Sequence, residues 1–140
     1  MSARGSILYV EDEESDVFFM RRAFEGEGLG AAFQTVGDGQ AAICYLAGEG
    51  VYAQRDRYPL PAVVLLDLNL PVVSGFDVLQ WIRGSSVCKG LPVVVFSSSP
   101  RPEDMQEARA LGADEYFEKP NSALHFKDVV RGLKERWLVH

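Results

Sequence analysis

The sequence has little cysteine and no excess of basic residues. Its 140 residues include two cysteines, Cys44 and Cys88, which are too few and too isolated for a disulfide framework or a zinc site. The 14 lysines and arginines are outnumbered by 20 aspartates and glutamates, so the net charge is −6. Nonspecific binding to nucleic acid or to an anionic membrane draws on a basic surface, and the sequence disfavours both kinds of partner.

Targeting signals and repeats are also missing. Residues 1–5 are polar and short, unlike a secretory signal, and no apolar run is long enough to span a bilayer. We see no internal repeat and no low-complexity tract. The length, with 47% hydrophobic and 24% charged residues, suits one domain with one buried core. These features together predict a cytoplasmic protein.

Short apolar runs alternate with amphipathic segments along the chain. Val63–Leu66 is an unbroken apolar run, typical of a strand buried on both faces of a parallel sheet. Crossovers between parallel strands are helical, so the alternation predicts an α/β fold, a doubly wound five-stranded parallel sheet with five helices. The predicted strands are 6–10, 32–36, 63–66, 92–96 and 114–117. Four of the predicted helices span 40–47, 76–83, 102–111 and 122–137. A further helix follows the first strand and carries Val17, Met20 and Phe24 on its apolar face. The apolar pattern of the last helix contains Leu124, Phe126, Val129, Val130 and Leu133.

Two segments lie outside this alternation. Gly48–Pro61 is rich in charges and helix breakers, and it predicts a long surface loop with at most an extra helical turn. Near the C-terminus, Trp137 and Leu138 are apolar. They either cover the core or extend it into a partner, and the sequence favours neither alternative.

Charged and polar residues follow four of the five predicted strands. Glu11 and Asp12 follow the first, Asp67 the third, Ser97 the fourth and Lys119 the fifth. The carboxyl ends of parallel strands meet at one edge of a sheet, so we expect these side chains to lie together. Three crowded carboxylates repel one another unless a cation lies among them, and Mg²⁺ prefers such ligands.

An aspartate in this setting can attack phosphorus and become an aspartyl phosphate. The transfer needs a metal to neutralise the phosphoryl oxygens, a cation such as Lys119 and a hydroxyl donor such as Ser97. Taken singly, Asp67 is as readily a helix cap, Ser97 an ordinary strand end and Lys119 a surface lysine. The combination favours phosphoryl transfer.

This combination resembles the receiver domain of two-component response regulators, the CheY-like family, from Ile7 to about Leu138. The matching motifs are the acidic pair Glu11-Asp12, LDLNLP around Asp67, Ser97, and GADEYFEKP with Lys119-Pro120. The resemblance implies a flavodoxin-like receiver fold with strand order 2-1-3-4-5. It also implies one receiver domain over 1–140, with its core at about 6–136, a loop insertion at 48–61 and a short C-terminal extension.

The resemblance implies a role for each matching residue. Asp67 would accept a phosphoryl group from a phosphohistidine of a histidine kinase, and Ser97 and Lys119 would contact that group. Tyr116 would be an aromatic switch that turns inward as Ser97 moves, and the Lys119–Pro120 peptide would be cis. Mg²⁺ would be bound by Asp12, Asp67 and the backbone carbonyl of Asn69, with Glu11 acting directly or through water. Glu11 stands where many receivers have Asp, and Ser97 where Thr is commoner; both exchanges keep the chemistry.

A narrower resemblance concerns the partners. The long loop and the YVEDEESD and SSSP stretches are similar to the small single-domain regulators of phytochrome histidine kinases. The expected protein is a phosphoacceptor rather than an enzyme, active only on itself. It would signal through a conformational switch or by passing the phosphoryl group on, and it would form a homodimer.

Three other functions fit the same fold. A Mg²⁺-dependent aspartyl phosphatase would usually want a second carboxylate two residues after the first, but position 69 is Asn. A receiver-like interaction module that does not use phosphorylation would have no need of the intact acceptor, acids, hydroxyl and lysine. A flavin-binding protein would want a phosphate-binding loop rich in Gly, Ser or Thr after the first strand, where this chain has four acids.

Overall fold

A five-stranded parallel sheet forms the centre of the molecule, in a computed structural model that describes residues 5–138. The strand order is β2-β1-β3-β4-β5, so the predicted fold class and order are confirmed. Each predicted strand is present, within one residue of its expected bounds. The strands are β1 (Ile7–Val10), β2 (Phe33–Val36), β3 (Val63–Leu66), β4 (Val93–Ser97) and β5 (Glu115–Glu118).

Helices cover both faces of this sheet, which explains why β1 and β3 are continuous apolar runs. Tyr9 and Leu65 face the first and last helices, whereas Leu8 and Val64 face the second and third. Every residue of β1, β3 and β4 is buried. The α-helices are α1 (Glu14–Gly26), α2 (Gly39–Ala47), α3 (Gly75–Gly84), α4 (Pro102–Ala110) and α5 (Phe126–Leu133).

The C-terminal segment departs from the predicted continuous helix over 122–137. A 3₁₀ turn (Ala123–His125) precedes α5, and a π-helical segment (Lys134–Leu138) follows it. A 3₁₀ turn has three residues per turn, so Leu124 leaves the apolar stripe and is 72% exposed; its predicted core position is wrong. Leu138 is buried and Trp137 packs against the core, which supports the covering alternative for these two residues.

The loop over 48–61 is tied down by one arginine. Its only regular element is the 3₁₀ turn Gly50–Ala53, in agreement with the sequence-based expectation. The Arg55 guanidinium donates to the backbone carbonyls of Tyr45 and Leu46, at the end of α2, and of Tyr58. The rings of Tyr45, Tyr52 and Tyr58 pack together, with centroids 5.0–6.0 Å apart. The insertion is therefore anchored to α2 rather than free.

Within residues 5–138, none of the helices combines the length and the apolar composition needed to cross a membrane.

Candidate functional site

The candidate site lies at the carboxyl edge of the sheet, where two acids leave neighbouring strands. The backbone N–H of Glu11 donates to the carbonyl of Val36, and that of Asp67 donates to the carbonyl of Val10, each at 3.1 Å. These bonds continue the ladder by one residue beyond the strands and hold both acids against the core. Glu11 is 1% exposed and Asp67 is 3% exposed.

Lys119 joins these acids from the end of β5. Its Nζ lies 2.8 Å from Glu11 Oε1 and 3.4 Å from Asp67 Oδ2. A third carboxylate, Asp16 of α1, also contacts it, with Oδ2 at 2.8 Å. The lysine is half-buried overall, and its backbone N–H donates to the carbonyl of Ser97, which anchors it beside β4. One ammonium group therefore bridges three strands and α1.

The charges of this cluster affect its pKa values. Burial works against the charged form of Lys119, but the contacts with Asp16 and Glu11 outweigh it and raise the pKa of the ammonium above its ordinary value. Burial is the largest influence on Glu11, and with the nearby charge of Asp67 it raises the pKa of that carboxyl to about 7. Lys119 opposes this rise. Lys119 therefore stays charged at neutral pH, whereas Glu11 titrates close to neutrality.

Three carboxylates at this edge have a geometry suited to a metal. Glu11, Asp12 and Asp67 each offer an oxygen, and these oxygens all lie within 4.8 Å of one another. Asp12 is exposed, so an ion can be approached from solvent, while the other two are buried. Oxygen-only ligands with excess negative charge fit a hard divalent cation. Asn69 is exposed beside them, and its backbone N–H donates to Asp67 Oδ1 at 3.2 Å.

Ser97 closes the β4 side of the site. It is fully buried, and its Oγ accepts a long 3.5 Å bond from Asn69 Nδ2 and a 3.3 Å bond from the Ser99 backbone N–H. The hydroxyl is therefore positioned next to the loop that carries Asp67 and next to the loop that follows β4. It can donate its proton to an oxygen that arrives between them.

Tyr116 lies on β5, two strands from Asp67. Its hydroxyl donates to the carbonyl of Ser99 at 3.0 Å, and its ring is half-buried against a small cluster that contains Leu68, Val95 and Ala108. Burial raises the pKa of this phenol, although its contacts with Ser97 and Ser99 work in the opposite direction. Tyr116 is therefore linked to the loop after β4 and not to the carboxylates.

An open cleft of about 400 Å³ gives access to the acids. Its wall includes Asp67, Asn69, Ser98 and Lys119. The loop between β3 and α3 passes very close to Gly75; a Cβ on this residue would overlap the carbonyl of Asp67 and lie 2.6 Å from Leu68 Cα. Only glycine allows α3 to begin this close to Asp67.

The structure thus brings together Glu11, Asp12, Asp67, Asn69, Ser97 and Lys119, and places Tyr116 beside them on β5. The sequence analysis missed Asp16. The sequence carried one signal for it: Asp16 lies two residues after the run of four acids, Glu11–Glu14, near the start of the first helix. The expected cis Lys119–Pro120 peptide is wrong, since this peptide is trans; an X–Pro bond favours trans by about 0.5–1 kcal/mol in the absence of a constraint.

Comparisons with known proteins show the family of the chain. The family model for the response regulator receiver domain matches residues 7–131. The probable methanogenesis regulatory protein FilR2 of Methanothrix harundinacea is 36% identical over 132 residues, covering 94% of this chain and 83% of FilR2. Response regulator Rcp1 of Synechocystis is 30% identical over 132 residues, covering 94% of this chain and 88% of Rcp1.

Solved structures of response regulators are also similar to this chain. The phosphorylated cyanobacterial phytochrome response regulator RcpA superposes with a TM-score of 0.87 at 34% identity, covering 96% of this chain and 94% of that one. The Mn²⁺-bound form of Rcp1 superposes with a TM-score of 0.80 at 29% identity, covering 96% and 94%. The chain therefore belongs to the response regulator receiver domain family, the phosphoacceptors of two-component signalling.

Proposed function

We propose that the protein accepts a phosphoryl group on Asp67 from the phosphohistidine of a histidine kinase. The observation that carries this proposal is the contact of buried Asp67 with Lys119, 3.4 Å apart at the floor of an open cleft. An ordinary surface aspartate would not be held against a lysine and two further acids. A phosphate-sized group has room above this carboxylate.

The proposed chemistry is a direct transfer. An oxygen of Asp67 forms a bond to phosphorus while the bond between phosphorus and the kinase imidazole nitrogen breaks, and the electron pair stays on that nitrogen. Lys119 pairs with one phosphoryl oxygen and Ser97 donates a hydrogen bond to another. Lys119 already contacts Asp67 before the transfer, and the Ser97 hydroxyl lies beside the loop that carries this aspartate.

The proposed metal is Mg²⁺. Glu11, Asp12 and Asp67 would hold it, together with the backbone carbonyl of Asn69, and their donor set fits it. When bound, it would neutralise the phosphoryl oxygens. The chain contributes the buried acids and the exposed Asp12 that leaves the ion open to solvent and substrate.

The proposed output is a conformational switch. A phosphoryl group adds a charge of about −1.5 to −2, and new bonds from Ser97 and Lys119 to it would pull on the ends of β4 and β5. Tyr116, which is bonded to the loop after β4, would turn inward as this loop moves. The signal would reach a partner through the face formed by α4, β5 and α5, or the phosphoryl group would pass to another protein.

The partners are proposed from the relatives. RcpA is a phytochrome response regulator, so we propose a phytochrome histidine kinase as the donor here. We also propose a homodimer, a receiver-only role without enzymatic activity on other substrates, and a cytoplasmic location. Because Trp137 and Leu138 pack on their own core, the dimer would form through other residues.

The surface that receives the kinase is proposed from exposed apolar residues next to the cleft. Phe18 and Leu124 are 53% and 72% exposed, and they line one apolar groove between α1 and the turn before α5. Both segments begin at the carboxyl edge of the sheet, which also carries Asp67, and we therefore propose that the kinase contacts this groove. Exposed apolar patches of this kind mark protein contacts.

The decisive experiment is intact mass spectrometry after incubation with Mg²⁺ and a small phosphodonor such as acetyl phosphate. We expect a gain of one phosphoryl group that requires Mg²⁺ and is lost in Asp67→Asn. Asp56→Asn, a change at an exposed loop aspartate, is the matched control and should be phosphorylated like the wild type. An unmodified wild type with its fold intact would instead favour an interaction module that works without phosphorylation.

A further inference from the structure

We propose that Asp16 is a positioning residue that holds Lys119 at the site when its other two carboxylate partners are taken by the metal. This inference rests on the proposed function, since it assumes that Mg²⁺ binds at the carboxylate cluster. Asp16 is not one of the three acids whose oxygens converge on the candidate metal position. It is, however, one of the two closest partners of the lysine.

The number of N–H donors on the ammonium group explains why Lys119 contacts three carboxylates. A lysine has three N–H donors, and Lys119 has three carboxylate acceptors, Glu11 and Asp16 at 2.8 Å and Asp67 at 3.4 Å. Two of these acceptors, Glu11 and Asp67, are also metal candidates. Lys119 and the metal would therefore compete for the same two carboxylates.

Asp16 changes the balance of this competition. When the metal binds Glu11 and Asp67, a half-buried lysine with no other anion nearby would be left as an unpaired charge. The free energy of breaking its two ion pairs would then count fully against metal binding. Asp16 keeps one short ion pair throughout. The other N–H donors are then free to turn towards a phosphoryl group on Asp67.

The position of Asp16 suits this task. It lies in the first turn of α1, with its side chain 24% exposed and its Oδ2 2.8 Å from Lys119 Nζ. It therefore pairs with the lysine from a helix, whereas Glu11 and Asp67 do so from the ends of β1 and β3. Neutralising Asp16 should therefore tighten the hold of Lys119 on Glu11 and Asp67. The metal would then bind more weakly.

The test is the affinity for Mg²⁺ alone, measured by isothermal titration calorimetry on the full chain without any phosphodonor. We expect Asp16→Asn to weaken Mg²⁺ binding about 5- to 20-fold and Asp16→Glu, which keeps a carboxylate, to restore most of the affinity. Glu14→Gln is the matched control, because it removes one negative charge from the same helical turn at an exposed residue that does not contact Lys119. It should weaken binding by about twofold or less.

A second arm separates an action through Lys119 from direct binding of the metal. In a Lys119→Met background, Asp16→Asn should weaken Mg²⁺ binding no more than Glu14→Gln does. A large loss that persists without the lysine would make Asp16 a metal ligand and overturn the proposal. Equal losses for Asp16→Asn and Glu14→Gln in the wild-type background would also overturn it.

The two proposals fail differently in this experiment. A wild type that does not bind Mg²⁺ would contradict the metal site of the proposed function itself. A wild type that binds it, with Asp16→Asn unchanged, would contradict only the role of Asp16. Thermal unfolding in the absence of metal shows that each variant is folded before it is titrated.

Discussion

The hydroxyl of Tyr116 donates a hydrogen bond to the carbonyl of Ser99, two residues beyond Ser97 in the loop that follows β4. The same loop is braced from the other side, where Ser99 Oγ donates to Asp104 of α4 at 2.6 Å. One tyrosine thus connects β5 to the segment that would report the state of Asp67. This bond links β5 directly to the loop that follows β4.

Tyr116→Phe should loosen the loop after β4 without unfolding the protein. One neutral hydrogen bond contributes about 0.5–1.5 kcal/mol, so amide hydrogen exchange at Ser98–Arg101 should become faster by up to about tenfold. The measurement is hydrogen exchange followed by mass spectrometry. Tyr52→Phe is the control, since the Tyr52 hydroxyl makes no hydrogen bond to any residue in the described range 5–138. An unchanged loop in Tyr116→Phe would show that this bond does not restrain it.

Stability without divalent metal should fall as the pH rises towards neutrality. The folded-state pKa of Glu11 is about 7, above its ordinary value, so the folded protein retains a proton that the unfolded chain releases. This contribution is complete below about pH 4.5 and is lost as the pH rises through about 7. We expect a loss on the order of 2–3 kcal/mol from this group.

Urea unfolding in EDTA between pH 5 and pH 8 measures this dependence. The relevant quantity is the difference between the wild type and Glu11→Gln, which lacks the titrating group and should lose less stability over the range. Glu14→Gln should follow the wild type. Parallel curves for the wild type and Glu11→Gln would contradict an elevated pKa of Glu11 in the folded state.

Ser97→Ala should separate phosphorylation from metal binding. The buried hydroxyl is proposed to bond a phosphoryl oxygen and is not one of the clustered carboxylates, so Mg²⁺ affinity should change by less than about twofold. Loss of one charge-assisted bond, about 1.5–3 kcal/mol, should slow phosphorylation by acetyl phosphate on the order of 10- to 100-fold. Ser97→Thr keeps the hydroxyl and should remain close to the wild type. A Ser97→Ala variant phosphorylated at the wild-type rate would remove the hydroxyl from the proposed chemistry.

Leu124→Ser should impair transfer from a histidine kinase while leaving the reaction with acetyl phosphate unchanged. Leu124 is exposed, so its replacement should alter stability by no more than about 0.5 kcal/mol. We expect a rise of at least fivefold in the KM for the receiver in an assay with a kinase that phosphorylates the wild type. Val51→Ser, which changes an apolar residue 59% exposed in the anchored loop, is the control. Equal KM values for Leu124→Ser and the wild type would exclude this groove as the kinase contact.

Much of the candidate site followed from chain order alone. Parallel strands bring their carboxyl ends to one edge, so Glu11, Asp67, Ser97 and Lys119 could be predicted as neighbours before any coordinates were known. Asp16 could not, because an acid in the first turn of a helix is equally well explained by the helix dipole. Only the packing of α1 against the sheet brings its carboxylate within 2.8 Å of Lys119.

The sequence by itself determined the fold class, because hydrophobic periodicity distinguishes strands from helices. It also determined which acids, hydroxyl and lysine meet at the sheet edge, because parallel strands end at the same edge. The strand order followed from the family resemblance. The tertiary structure decided the rest. It placed Leu124 in solvent and Leu138 in the core, made the Lys119–Pro120 peptide trans, and gave Lys119 a third carboxylate. Each of these depends on how a short segment packs against distant residues, which local patterns do not encode.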